Sequence, residues 1–193
     1  MRRSWRPGAH AAAPAPTSHR WRDVVGRGSL HPDAHRPPRP GRTREDRMSL
    51  APIVHELRLA CPVEVAFDTY VDRIAEWWPP GYTDDAGSFS GLVVEPVVGG
   101  RVLASHGADE RVWGRVTLWE RATHLAHTFT PGQPPGRASL VRVDLRPSAT
   151  GTAVRFEHGG WAPGSERVRS RFTGWPRILS RYAHLAEHPD PEK

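Results

Sequence analysis

The residues of this chain best suited to chemistry are histidines on predicted strands. His158 follows Val154 and Phe156 at alternate positions, so all three side chains point to the same face of a strand. An imidazole in an apolar interior could orient a ligand or act as an acid or base. The alternative is a structural histidine that bonds to backbone beside the Gly159-Gly160 turn. We favour the structural interpretation, and keep His158 as the candidate for catalysis.

Metal and nucleophilic sites are weaker hypotheses. His106, His127 and His158 could supply three zinc ligands, but nothing in their spacing requires them to converge. We therefore expect neither a metal nor a cofactor. The sequence contains no nucleophile elbow, phosphate-binding loop or His-Glu-x-x-His helix. Cys61 is the single cysteine, which excludes an internal disulfide, fits a cytoplasmic protein and favours burial over reactivity.

The positive charge of the chain belongs to its first segment. The formal net charge is +6, yet residues 1–47 carry eleven arginines against four acids, whereas the remainder is slightly acidic. This segment is rich in proline and has no periodic apolar pattern, so we expect it to be disordered, and Met48 could be the true start. The charge therefore does not indicate a specific nucleic-acid partner, and no apolar run is long enough to span a membrane.

From residue 53 the apolar pattern predicts a folded domain. Alternation after Ile53 indicates a strand, and Pro62 opens a predicted helix that ends at Pro79-Pro80-Gly81. A loop over residues 81–90 could form a mouth or lid. Antiparallel strands are predicted next, at Gly91–Val98, Arg101–His106, Arg111–Glu120, His124–Thr130, Leu140–Arg146 and Thr152–His158. Gly99-Gly100 suggests a two-residue hairpin between the first two of these strands.

The end of the chain predicts a long amphipathic helix. Its apolar stripe has helical spacing and consists of Val168, Phe172, Trp175, Leu179, Tyr182 and Ala186. Pro176 should kink this helix or split it. The order of strand, helix, strands and helix predicts an α+β fold, in which a curved antiparallel sheet of about six strands wraps around the last helix.

Five short phrases in this order carry a family resemblance. They are Trp77-Trp78-Pro79, Gly99-Gly100-Arg101, Trp113-Gly114-x-Val116-x-x-Trp119-Glu120, His158-x-Gly160-Trp161 and Gly174-Trp175-x-x-x-Leu179. Over residues 50–187 the chain resembles the SRPBCC (START/Bet v 1-like) superfamily, in the branch of the activator of Hsp90 ATPase (AHSA1-like) C-terminal domain. The resemblance implies a helix-grip fold with a hydrophobic cavity between the sheet and the C-terminal helix.

The function that follows is non-enzymatic binding of an apolar small molecule in that cavity. The side chains expected to line it are Trp77, Trp78, Trp113, Phe129, Phe156, His158, Trp175, Leu179 and Tyr182. The tryptophans could equally fill the space and leave no site. Two alternatives remain open, a chaperone-associated or regulatory interaction module and a cyclase- or aromatase-like enzyme that uses His158. Residues 1–47 do not resemble the domain through which the eukaryotic co-chaperone contacts Hsp90.

Overall fold

The computed structural model describes residues 50–189, and the expectations about residues 1–47 lie outside this range. The strands are β1 (Ile53–Leu59), β2 (Phe89–Val94), β3 (Arg101–His106), β4 (Asp109–Glu120), β5 (His124–Phe129), β6 (Ser139–Ser148) and β7 (Gly151–Gly159). The helices are α1 (Val63–Asp72), α2 (Ile74–Trp77), α3 (Glu166–Arg169) and α4 (Trp175–Glu187), and a 3₁₀ turn spans Pro80–Tyr82.

The strands form one antiparallel sheet in the order β1-β7-β6-β5-β4-β3-β2. The sheet therefore has seven strands rather than about six, and the expected α+β helix-grip arrangement is otherwise confirmed. Its inner face carries the apolar side chains that alternation predicted, such as Val143, Val154 and Phe156, all of which are buried. Within the described residues, no helix is long and apolar enough to cross a membrane.

A β-bulge in β4 turns Trp113 toward the interior. Val102 of β3 pairs with Gly114 and Leu103 pairs with Val112, so Trp113 has no direct partner across the strands. The bulge brings Gly114 against β5, where a Cβ atom would lie 1.8 Å from the carbonyl oxygen of Thr128. Only glycine fits this close approach.

The predicted two-residue hairpin at Gly99-Gly100 was wrong. Strand β2 ends at Val94, and six residues connect it to β3. Pro96 has no N–H to continue the ladder, and the loop folds on itself because Val97 N–H bonds to the Glu95 carbonyl. Val97 and Val98 are consequently exposed rather than part of a strand.

The predicted C-terminal helix is shorter than its apolar stripe suggested. It is interrupted between α3 and α4, and Pro176 occupies the first turn of α4 instead of kinking it. Proline is tolerated there because the first N–H groups of a helix have no intrahelical partner. Helix α4 packs on α1, where the Tyr182 hydroxyl donates to the Ala66 carbonyl at 2.9 Å.

Candidate ligand-binding site

The side chains that the sequence predicted for a cavity are all buried between the sheet and the helices. Each has at most 5% of its surface exposed, which makes this region the centre of the core. Most of them contact one another directly. The rings of Phe156 and Trp175 lie 4.4 Å apart between their centroids, and Tyr182 lies 5.5 Å from Trp77. These rings fill much of the space in which a ligand was expected.

His158 lies in this core with both ring nitrogens bonded. The indole N–H of Trp175 donates to Nδ1 at 3.0 Å, so Nδ1 carries no proton. The neutral ring then holds its proton on Nε2, which lies 2.7 Å from the Ser139 hydroxyl. Ser139 in turn donates to the Phe129 carbonyl and accepts from the Gln133 amide. The chain of bonds fixes one tautomer and one orientation of the ring.

The surroundings of His158 disfavour its charged form. Burial, with a smaller contribution from His127, lowers the pKa of His158 from 6.5 to about 3. A proton on Nδ1 would also face the indole N–H of Trp175, which has no lone pair to accept it. Burial likewise lowers the pKa of His127, partly offset by its bond to the Thr128 carbonyl. The bond to Trp175 and the lowered pKa together favour the neutral ring of His158 near neutral pH.

An open cleft lies at the first turn of α4. Its volume is about 220 Å³, and its walls include the rings of Trp78, Tyr82, Phe129, Phe172 and Trp175. Ile178, Thr83, Asp84, Pro131, Gly132, Arg171 and Gly174 complete its lining. The cleft is therefore aromatic inside, with one acidic and one basic side chain among the lining residues.

Local sequence explains how the cleft is built. The break before α4 places Phe172 beside the ring of Phe129, with their centroids 6.1 Å apart. Gly174 lies directly against the ring of Tyr82, and a Cβ atom at this glycine would be 2.0 Å from that ring. Glycine is therefore needed at position 174 for Tyr82 to form a wall of the cleft.

Three of the predicted residues, Trp78, Phe129 and Trp175, border the cleft. The others that were expected around a ligand are buried but do not border it; they are Trp77, Trp113, Phe156, His158, Leu179 and Tyr182. Tyr82, Phe172 and Ile178 line the cleft but were not among the predicted site residues. Ile178 directly precedes Leu179 of the helical stripe, so a wider stripe would have included it. Tyr82 lies in the predicted loop, where periodicity gives no signal.

Other grooves suit an apolar ligand less well. A groove of about 300 Å³ on the outer face of the sheet is lined by charged side chains, among them Glu56, Arg58 and Arg155. Among residues 50–189, no group of three or more histidine, cysteine, aspartate or glutamate side chains is arranged to hold a metal ion. The aromatic cleft is therefore the best candidate for a site.

A seven-stranded antiparallel sheet that wraps around a C-terminal helix, with an aromatic cleft at the start of that helix, defines a helix-grip protein. The family model of the activator of Hsp90 ATPase homolog 1-like proteins matches residues 60–187. The chain belongs to this family, as the tryptophan and glycine phrases predicted. No curated protein matches the chain in sequence.

Solved structures agree on the fold. A protein from Mesorhizobium loti is 24% identical with a TM-score of 0.57, over 72% of this chain and 98% of that one. The Aha1 dimer from Colwellia psychrerythraea is 19% identical with a TM-score of 0.54, over 72% of this chain and 97% of that one. A protein from Nitrosomonas europaea is 16% identical with a TM-score of 0.54, over 70% and 93%. At these identities the likeness supports the fold alone.

Proposed function

We propose that this domain binds a small, apolar, aromatic molecule in the cleft at the first turn of α4 and performs no chemistry on it. The observation that carries the proposal is the composition of the walls, where five aromatic rings surround an open space. Aromatic walls with a few polar groups are the usual composition of a small-molecule site.

The dimensions of the cleft limit the ligand. Its volume of about 220 Å³ is below the range of roughly 300–1,000 Å³ that is typical of drug-sized ligands. Flat rings such as those of Trp78 and Phe129 favour offset or edge-on contacts with another flat ring. We therefore expect a ligand about the size of naphthalene rather than a long lipid or a steroid.

His158 supports this site without touching the ligand. It does not border the cleft, but it accepts the indole N–H of Trp175, whose ring is one of the walls. The bond fixes the rotation of that ring in the site. This role accounts for a buried histidine without invoking the cyclase-like reaction.

A fluorescent apolar probe tests the proposal. 1-Naphthylamine, which has the expected size, should bind the wild-type protein with blue-shifted emission, and Phe172→Ala should weaken binding about tenfold by removing a wall. Val168→Ala is the matched control, because Val168 is also half-buried in this segment but does not border the cleft. No binding to the wild-type protein, or equal binding by both variants, would refute the proposal.

One observation favours an interaction module as a second candidate. Val93 on β2 and Val112 on β4 are about half exposed, at 54% and 48%. Both pair with Leu103 of β3, the strand that lies between β2 and β4. They form an apolar row on the outer face of the sheet, away from the cleft, of the kind that marks protein contacts.

Purified Hsp90 provides the test of this second candidate. The double variant Val93→Thr, Val112→Thr keeps β-branched residues in the strands and should lose Hsp90 binding in a pull-down. Val54→Thr is the control, since Val54 is exposed on the opposite edge strand. If wild-type protein does not retain Hsp90, this candidate is excluded.

A further inference from the structure

The aromatic cleft at the first turn of α4 contains a positive charge that no acidic group balances. Asp84 and Arg171 are the two charged side chains among its lining residues. Asp84 already has a partner, since its Oδ2 atom lies 3.5 Å from Nη1 of Arg111. Among residues 50–189, Arg171 forms no ion pair, although its exposed side chain borders the cleft. The cleft therefore offers a free cation to whatever it binds.

The beginning of α4 adds positive potential to the same place. Gly174 and Trp175, at which this helix of 13 residues begins, both line the cleft. Within the part of the chain that the structure describes, this helix end has no side-chain cap and no acidic residue in its first turn. The N-terminal end of a helix carries about half a positive elementary charge and favours anions. The helix and Arg171 thus act in the same direction.

The wall of the cleft also includes a buried donor without an acceptor. Trp78 borders the cleft and is 5% exposed, and its indole N–H has no hydrogen-bond partner among the described residues. A buried donor left without a partner costs about 1–3 kcal/mol. The hydroxyl of Thr83, in contrast, donates to the Pro80 carbonyl at 2.8 Å. The unmatched indole independently indicates that the ligand of this cleft carries an acceptor atom.

We propose that the ligand is a small aromatic carboxylate. Its ring lies against the aromatic walls, so this inference rests on the proposed function. Its carboxylate lies at the open side of the cleft, where it pairs with Arg171 and faces the N-terminal end of α4. The charged group stays in contact with water there, while the apolar ring is buried.

The charges around the cleft select a carboxylate over other polar groups. An ammonium group would be repelled by Arg171 and by the helix end, and a plain hydrocarbon would leave the indole of Trp78 without an acceptor. A phosphate monoester carries a charge of about −1.5 to −2 at pH 7, and its second charge would be repelled by Asp84. A carboxylate carries a single charge, and its two oxygens match the fork of a guanidinium group.

Two probes that differ in charge test the inference. 2-Naphthoate and 2-naphthamide have the same ring, nearly the same size and a carbonyl oxygen, but only the first is an anion near neutral pH. Isothermal titration calorimetry at low ionic strength measures both affinities. Wild-type protein should bind 2-naphthoate about fivefold more tightly, the size expected for one solvent-exposed ion pair. Added sodium chloride should reduce this preference, because it screens exposed charges.

Matched variants locate the effect. Arg171→Gln removes the charge but keeps much of the alkyl chain, so the ratio of the two affinities should fall to about one. Arg167→Gln removes the same charge from a nearby exposed arginine of α3 that does not border the cleft, and should retain the preference. Phe172→Ala should weaken the binding of both probes to a similar extent, because both rings contact the wall that it removes.

The outcomes separate the two proposals. Equal affinities of the two probes for wild-type protein, or a preference for 2-naphthoate that survives in Arg171→Gln, would overturn the carboxylate site and leave the aromatic cleft intact. If 2-naphthoate, 2-naphthamide and 1-naphthylamine all fail to bind wild-type protein, the proposed function fails and this inference fails with it.

Discussion

The buried histidine of the core makes the stability of this domain sensitive to mild acid. Burial lowers the pKa of His158 to about 3, while the unfolded chain has the ordinary value of 6.5. Below pH 6.5 the unfolded state therefore binds a proton that the folded state does not. Stability from this group is fully present above pH 6.5 and is lost progressively as the pH falls toward 3.

The size of the loss in stability near pH 5 depends mainly on the pKa of His158 in the unfolded chain. At about pH 5, His158 should reduce the free energy of unfolding by roughly 2 kcal/mol relative to about pH 7.5. The result holds for any folded-state pKa well below 5. His127 adds to the loss, because burial lowers its pKa as well. Asp85 and Glu95, with lowered pKa values, contribute at more acidic pH and stay outside this window.

Urea denaturation measures the effect. The midpoint at about pH 5 should be lower by roughly 1 M than at about pH 7.5, with an unchanged slope. His158→Gln keeps a donor toward Ser139 but cannot titrate. The variant should be less stable than wild-type protein at about pH 7.5, but its free energy of unfolding should fall by about 2 kcal/mol less on going to about pH 5. Val168→Ala, which removes no ionisable group from a half-buried position, should retain the full dependence.

Nuclear magnetic resonance tests the same reasoning without a variant. The imidazole of His158 should show no inflection above pH 5, and its Nδ1 should have the chemical shift of an unprotonated nitrogen. A ring that titrates near 6.5 in the folded protein would refute the reasoning, as would equal unfolding free energies at the two pH values.

Three further outcomes follow from close contacts and burial. Gly114→Ala should destabilise the domain by about 2–4 kcal/mol in urea unfolding, since its Cβ would overlap the Thr128 carbonyl; Gly91→Ala, with open space around it, should cost under about 1 kcal/mol. Tyr182→Phe should cost about 1–2 kcal/mol in thermal unfolding by removing a buried bond between α4 and α1. Cys61 should resist a thiol reagent until urea unfolds the chain, because it is buried and burial raises its pKa; rapid labelling of native protein would contradict this.

Much of the fold could be predicted because side-chain periodicity reports which face is buried. The alternation of Val154, Phe156 and His158 placed all three inside, and the helical stripe placed Trp175 and Tyr182 against the sheet. Periodicity does not report where an element ends. Pro176 was expected to kink or split a long helix, whereas the structure interrupts the helix upstream, between Arg169 and Trp175, and places Pro176 in the first turn of α4.

The site was harder to predict because it is made by residues without a pattern. Phe172 was part of the predicted stripe, but the break before α4 makes it half-buried and turns it into a wall of the cleft. Tyr82 reaches the cleft only through its contact with Gly174.

The tryptophans that identify the family differ in whether their indole N–H has a hydrogen-bond partner. Trp77, Trp161 and Trp175 each donate to a protein acceptor, respectively the Thr69 carbonyl, the His158 carbonyl and His158 Nδ1. Trp78 and Trp113 donate to none in the described structure. A tryptophan that only fills space gains nothing from an unmatched N–H, and leaving that group buried without a partner costs about 1–3 kcal/mol. Trp78 borders the cleft, so an acceptor atom of a ligand bound beside its indole N–H would remove this cost, whereas Trp113 is buried outside the cleft lining.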